Sequence, residues 1–205
     1  MPTSGGGNPG WALLDFSSAG GPQRRRFRVE SLNGAPINAI AVDAQASIWS
    51  TRSASSARAL VMGCSYEAAN NGANYPTPGR SWPGIACRDV LGIDDYIAAG
   101  VGGSGYTTAG SWATYGLPIN RIAEVAQAAP DILIAGMWGI NDANGQAAAL
   151  TAAALAWITA VRAANPQLLI VAMGIPSSFE PDAVRFEKLK VLREIVPVKP
   201  EDVIY

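Results

Sequence analysis

Short apolar runs alternate with amphipathic stretches along most of this chain. Residues 59–62 form one such run, Ala59, Leu60, Val61 and Met62, closed by Gly63. Residues 131–138 and 168–173 repeat the pattern, the second closed by Gly174. Runs of this length bounded by glycine predict strands buried on both faces of a parallel sheet. Residues 93–98 predict a further strand. Between the strands lie helical patterns. Residues 82–91 predict a helix that carries Pro83 in its first turn, where the missing N–H costs nothing. Pro118 opens a second helix, with Ile119, Ile122, Val125 and Ala126 on one face, and Pro130 follows its end. Residues 147–164 predict the longest helix. Its apolar stripe is Leu150, Ala154, Trp157, Ile158 and Val161, and Asn165-Pro166 stops it. Asp182 is placed to cap a last helix bearing Val184, Leu189, Val191 and Leu192. Val203, Ile204 and Tyr205 read as the start of another strand.

The chain before residue 59 has a different texture. Residues 1–22 are rich in Gly, Ser and Pro and read as a flexible leader. Residues 23–55 read as a β-rich segment, either an edge layer or the end of a small β domain. Phe27 and Val29 alternate with polar neighbours, Asn33-Gly34 supplies a turn, and residues 37–42 and 47–49 read as further strand. A Ser/Ala-rich linker over 52–58 leads to the main domain, 59–205.

Repeated alternation of strand and helix predicts an α/β domain whose mostly parallel sheet is covered by helices on both faces. Ligands of such sheets bind beyond the carboxyl ends of the strands. Ser65, the Gly102-Gly103 pair and Asn141 all fall at those ends.

Composition fits a folded domain of this kind. The 205 residues are 49% hydrophobic and 15% charged, below the usual charged share of about 25%. The formal net charge of -1 advertises no nucleic-acid or membrane surface. The short basic run of Arg24, Arg25, Arg26 and Arg28 reads as a solvated strand edge, with an acidic polymer as its other reading. Two cysteines, Cys64 and Cys87, exclude a disulfide scaffold; the absence of histidine excludes zinc and haem sites built on that residue. No cofactor is expected. No signal peptide or membrane-spanning stretch is read from the sequence, so no compartment is assigned.

The carboxyl-edge residues carry the chemistry. A serine just past a strand can aim its hydroxyl into a cleft, with backbone N–H groups nearby to receive developing negative charge. Alone, Ser65 reads first as a turn or cap residue. The glycines of 100–105 permit tight turns; they contain neither the Walker lysine nor the dinucleotide glycine spacing. Asn141 carries an amide able to donate to an oxyanion, or to cap a local turn. Asp142 reads as a helix cap rather than a base. Trp138 reads as a pocket wall or a core residue, and Glu67 as a surface carboxylate. Cys64 is expected to face the core, and its pairing with Cys87 is left open.

Together, Gly63-Cys64-Ser65-Tyr66, the glycine-rich 99–105 and Gly139-Ile140-Asn141-Asp142 resemble the blocks of the SGNH (GDSL-type) hydrolase family. The resemblance spans residues 59–205 and implies a three-layer αβα, flavodoxin-like domain. By resemblance Ser65 is the nucleophile. The N–H groups of Ser65 and Gly103 and the Asn141 amide form the oxyanion hole. The implied activity is serine ester hydrolysis by acyl transfer to water, with small-molecule or carbohydrate esters as substrates and O-acetylated carbohydrate favoured by the β-rich segment. Tyr75 and Trp82 are candidates for stacking on sugar. Two departures stand out: Cys64 occupies the place of the family's aspartate, and the family's Asp-x-x-His block has no counterpart. The sequence reading therefore expects a chain cut short before that block, with self-association through an uncovered sheet edge. The competing expectation is a catalytically inactive relative that binds a glycan or ester.

Overall fold

The computed structural model describes residues 42, 57–68, 81–110 and 115–174. The leader, all of the β-rich segment except Val42, Tyr75, and the helix and strand expected after residue 180 lie outside the described residues.

Four strands form one parallel sheet. They are β1 (Arg58–Gly63), β2 (Asp95–Gly100), β3 (Ile132–Ala135) and β4 (Leu169–Ala172), in the order β2-β1-β3-β4. Each strand coincides with an expected apolar run. β2 starts two residues later than residues 93–98 predict. Ile93 is spent before the strand begins: its N–H bonds the Cys87 carbonyl at 2.7 Å while its side chain enters the core.

The helices fall where the periodicity places them. α1 (Trp82–Gly84) opens with proline and continues as a π-wound turn, Ile85–Val90. α2 (Ile122–Ala128) follows a 3-10 turn over Pro118–Arg121. α3 (Ala147–Ala164) has the predicted bounds.

The alternation of side chains along β1 divides the core in two. Leu60, Met62 and Cys64 face α2 and α3, in a cluster with Leu133, Val125, Trp157 and Val161. Ala59 and Val61 face the other way, packing with Tyr96, Ile134 and Cys87 of the α1 layer. The result is helix, sheet, helix, as expected. Trp82 is partly buried and packs against this second cluster. Cys64 and Cys87 form no disulfide and sit in clusters on opposite sides of the sheet.

Among the described residues α3 is the one helix long and apolar enough, by length and composition, to cross a membrane. The sequence reading missed this. The helix packs its Leu150, Ala154, Trp157 and Val161 stripe into the sheet cluster, as a core helix does. Trp157 is the centre of that contact, edge-on to Trp138 with ring centroids 5.0 Å apart.

Candidate active site at the carboxyl edge of the sheet

The strand order creates a seam. From β1 the chain crosses to one side, to β2; from β3 it crosses to the other, to β4. The crevice between the carboxyl ends of β1 and β3 is therefore the topological switch point, where sheets of this kind hold ligands. Register keeps the three strand ends level: Gly63 pairs with Gly100, and Met62 with Ala135.

The three residues expected from sequence leave from these ends. Ser65 follows β1 in a turn closed by the Ala68 N–H on the Cys64 carbonyl, 3.1 Å, and is half-buried. Gly103 follows β2 with φ +72, a left-handed conformation that favours glycine. Asn141 follows β3 and is exposed.

Side chains knit the loop after β2 to both neighbours. The Ser104 hydroxyl donates to the Gly63 carbonyl at 3.2 Å and accepts from the Trp138 indole N–H at 3.2 Å. The Asn141 amide donates to the Ser104 carbonyl at 2.9 Å. An amide nitrogen carries two hydrogens, so this bond leaves Asn141 a second donor on an exposed side chain. Trp138 is thereby a core residue rather than a pocket wall, in ring contact with Tyr106 and Trp157.

Asp142 corrects its own sequence reading. It caps no helix, since α3 begins only at Ala147. Its buried carboxylate accepts the N–H groups of Tyr106 and Thr107, both at 2.8 Å, and the Thr107 hydroxyl at 2.7 Å. It thus holds the loop after β2 against the loop after β3.

Glu67 overturns an expectation more sharply. It is fully buried rather than on the surface. One carboxylate oxygen accepts the Cys64 N–H at 2.6 Å and the other the Met137 N–H at 3.1 Å. Gly63 and Gly136 make the room. A Cβ on either would fall 2.1 Å or 2.4 Å from a Glu67 oxygen. Burial pushes the Glu67 carboxyl above its usual range, and the N–H groups of Met137 and Cys64 pull it back in part. Those two glycines, one closing the run 59–62 and one inside the run 131–138, were the signal available in the sequence.

Cys64 behaves as expected. Its thiol donates weakly to the Met137 carbonyl at 3.8 Å. Burial first, then the nearby Glu67 charge, pushes it up to about 12, so it is held as the thiol. Among the described residues no group of three or more His, Cys, Asp or Glu side chains is placed to hold a metal ion.

No protein-family model matches the chain, and no curated protein matches it. Solved structures do. The chain is similar to a family two carbohydrate esterase from Cellvibrio japonicus, with a TM-score of 0.55 and 13% identity over 68% of this chain and 48% of that one. The chain thus covers about half that esterase's length. It is also similar to a mutant of the esterase AlinE4, with a TM-score of 0.50 and 19% identity over 70% and 72%. AlinE4 itself, an SGNH-hydrolase family esterase, aligns with a TM-score of 0.49 and 18% identity over 70% and 72%. At such identities the likeness is one of fold: this chain has the parallel α/β/α architecture of those esterases.

Proposed function

We propose that the chain is a serine ester hydrolase of SGNH type, with Ser65 as nucleophile and Gly103 and Asn141 as oxyanion donors. The observation that carries the reading is the common origin of all three at the carboxyl edge of the sheet, with Ser65 and Asn141 in the turns that follow the two strands flanking the switch point. Fold similarity to esterases supports it.

In this reading the Ser65 hydroxyl oxygen attacks the acyl carbonyl and its proton passes to a base. The carbonyl oxygen gains negative charge, received by the N–H groups of Ser65 and Gly103 and the free hydrogen of Asn141. The ester C–O bond breaks and the alcohol leaves with a proton. Water then attacks the acyl-serine, releasing the carboxylic acid and restoring the hydroxyl. The chain has no histidine to serve as the base. Glu67 does not fill that role, because both its oxygens are engaged by backbone N–H groups in a fully buried position. An ester on carbohydrate is the substrate class we favour, in keeping with the fold likeness to a carbohydrate esterase, and a small O-acetyl group is the expectation carried from the sequence.

The missing histidine favours one second reading, a protein that holds a glycan or ester at the same edge without cleaving it. Hydrolysis of 4-nitrophenyl acetate, with and without added imidazole as an external base, separates the two. The expected result is a low rate alone and an imidazole-dependent rate, above the imidazole background, that Ser65→Ala abolishes. Saturable binding of an acetylated oligosaccharide with no Ser65-dependent rate under either condition establishes the binding reading instead.

A further inference from the structure

The β1–β3 ladder runs one rung further than its backbone allows. Its last backbone bond joins the Gly136 N–H to the Met62 carbonyl at 2.6 Å. In an unbroken parallel ladder the next donor, the Cys64 N–H, would reach the Gly136 carbonyl. That carbonyl instead accepts the Trp138 N–H at 2.7 Å, because the chain after β3 is already turning. The chain after β1 turns as well, and the two backbones part. Glu67 fills the gap: one carboxylate takes the Cys64 N–H from one side and the Met137 N–H from the other. A buried N–H without an acceptor is costly, so the arrangement is held in place by both donors. Gly63 and Gly136 flank the carboxylate so closely that no larger residue fits beside it.

We infer that Glu67 is a positioning residue, whose carboxylate locks the turn carrying Ser65 to the loop carrying Asn141 and so sets nucleophile against oxyanion donor. This rests on the hydrolase reading of the site. The residue fixed on one side, Cys64, is bonded directly to Ser65. On the other side, Met137 opens the turn that leads through Gly139 to Asn141. Ser104, which holds Asn141 through its carbonyl and Gly63 through its hydroxyl, ties the same two loops through the loop after β2. Without Glu67 the loops after β1 and β3 keep the weak bond from the Cys64 thiol to the Met137 carbonyl and that indirect tie.

The test is imidazole-supported hydrolysis of 4-nitrophenyl acetate by the whole chain, comparing wild type with Glu67→Gln and taking Ser65→Ala as zero. Gln keeps the size of Glu but offers one acceptor oxygen where the site uses two. The expected result is kcat lowered on the order of a hundredfold, the scale of a misplacement of about 1 Å, with KM near the wild-type value. The Cys64 and Met137 amide resonances are expected to move together in the 1H–15N spectrum. A folded Glu67→Gln protein with wild-type kcat overturns the proposal and leaves the hydrolase reading standing. Wild type with no Ser65-dependent turnover overturns both. If Glu67→Gln does not fold, the wild-type spectrum followed through acid pH decides. The titratable side chain facing Glu67 among the described residues is the Cys64 thiol, held protonated throughout. The Cys64 and Met137 amides are therefore expected to shift with one shared midpoint, and separate or absent shifts overturn the proposal.

Discussion

Two buried carboxylates cross-link the same edge of the sheet, and they do it differently. Asp142 joins the loops after β2 and β3 and receives three donors, two N–H groups and a hydroxyl. Glu67 joins the loops after β1 and β3 through one backbone N–H group from each. Glu67 is also the more deeply shut away, wedged between two glycines. Donors stabilise a carboxylate's charge and burial opposes it. At Glu67 burial outweighs the donors and raises the carboxyl's proton affinity. Both carboxylates hold two loops in register, Asp142 across β2 and β3 and Glu67 across β1 and β3.

The largest expected effect on stability lies at Asp142. Asp142→Asn replaces one acceptor oxygen of a carboxylate that holds three donors by an NH2 group, which faces a buried N–H, and is expected to cost about 2–3 kcal/mol, against about 1 kcal/mol for Glu67→Gln. Urea unfolding at neutral pH checks the order; an equal or reversed ranking breaks the comparison. The glycines beside Glu67 give the next effect. Gly136→Ala brings a Cβ within 2.4 Å of a Glu67 oxygen and is expected to cost about 1–3 kcal/mol. In a Glu67→Ala background the same change meets no carboxylate, and its cost is expected to fall well below that. A double-mutant cycle with no coupling energy would show that the two do not compete for one space.

The smallest effect is the pH dependence. The folded-state affinity of Glu67 for its proton is raised above the ordinary carboxyl value of 4.5. Between that value and its folded midpoint the folded state holds the proton more often than the unfolded chain. The stability this group contributes is therefore fully present below the ordinary value and is lost as pH rises through the folded midpoint. The stability difference between wild type and Glu67→Gln is expected to decline with rising pH over that window. Unfolding curves collected across acid to neutral pH read it directly, and a difference that grows with pH reverses the sign.

Much of the fold was legible before any coordinates. The stripe of Leu150, Ala154, Trp157 and Val161 placed α3 at its observed ends, because Asn165-Pro166 stops a helix on local grounds. Ser65, Gly103 and Asn141 could be placed at one edge, because alternating strands and helices leave few topologies. The roles of Glu67, Asp142 and Trp138 were not legible. Glu67 sits in a polar turn and looks like any surface acid until its partner 70 residues away is brought beside it. Asp142 lies a few residues before a helix and looks like its cap, whereas its donors belong to a loop 36 residues earlier.

The sequence by itself determined the elements, their order and the blocks Gly63-Cys64-Ser65 and Gly139-Ile140-Asn141-Asp142. These follow from period and punctuation, which act over a few residues through side-chain direction and backbone sterics. Tertiary structure alone decided that Cys64 and Cys87 face opposite layers, that Trp138 is core, and that two carboxylates stitch the site. A buried carboxylate is tolerable only where backbone donors converge on it, and that convergence exists only once distant strand ends have been brought level.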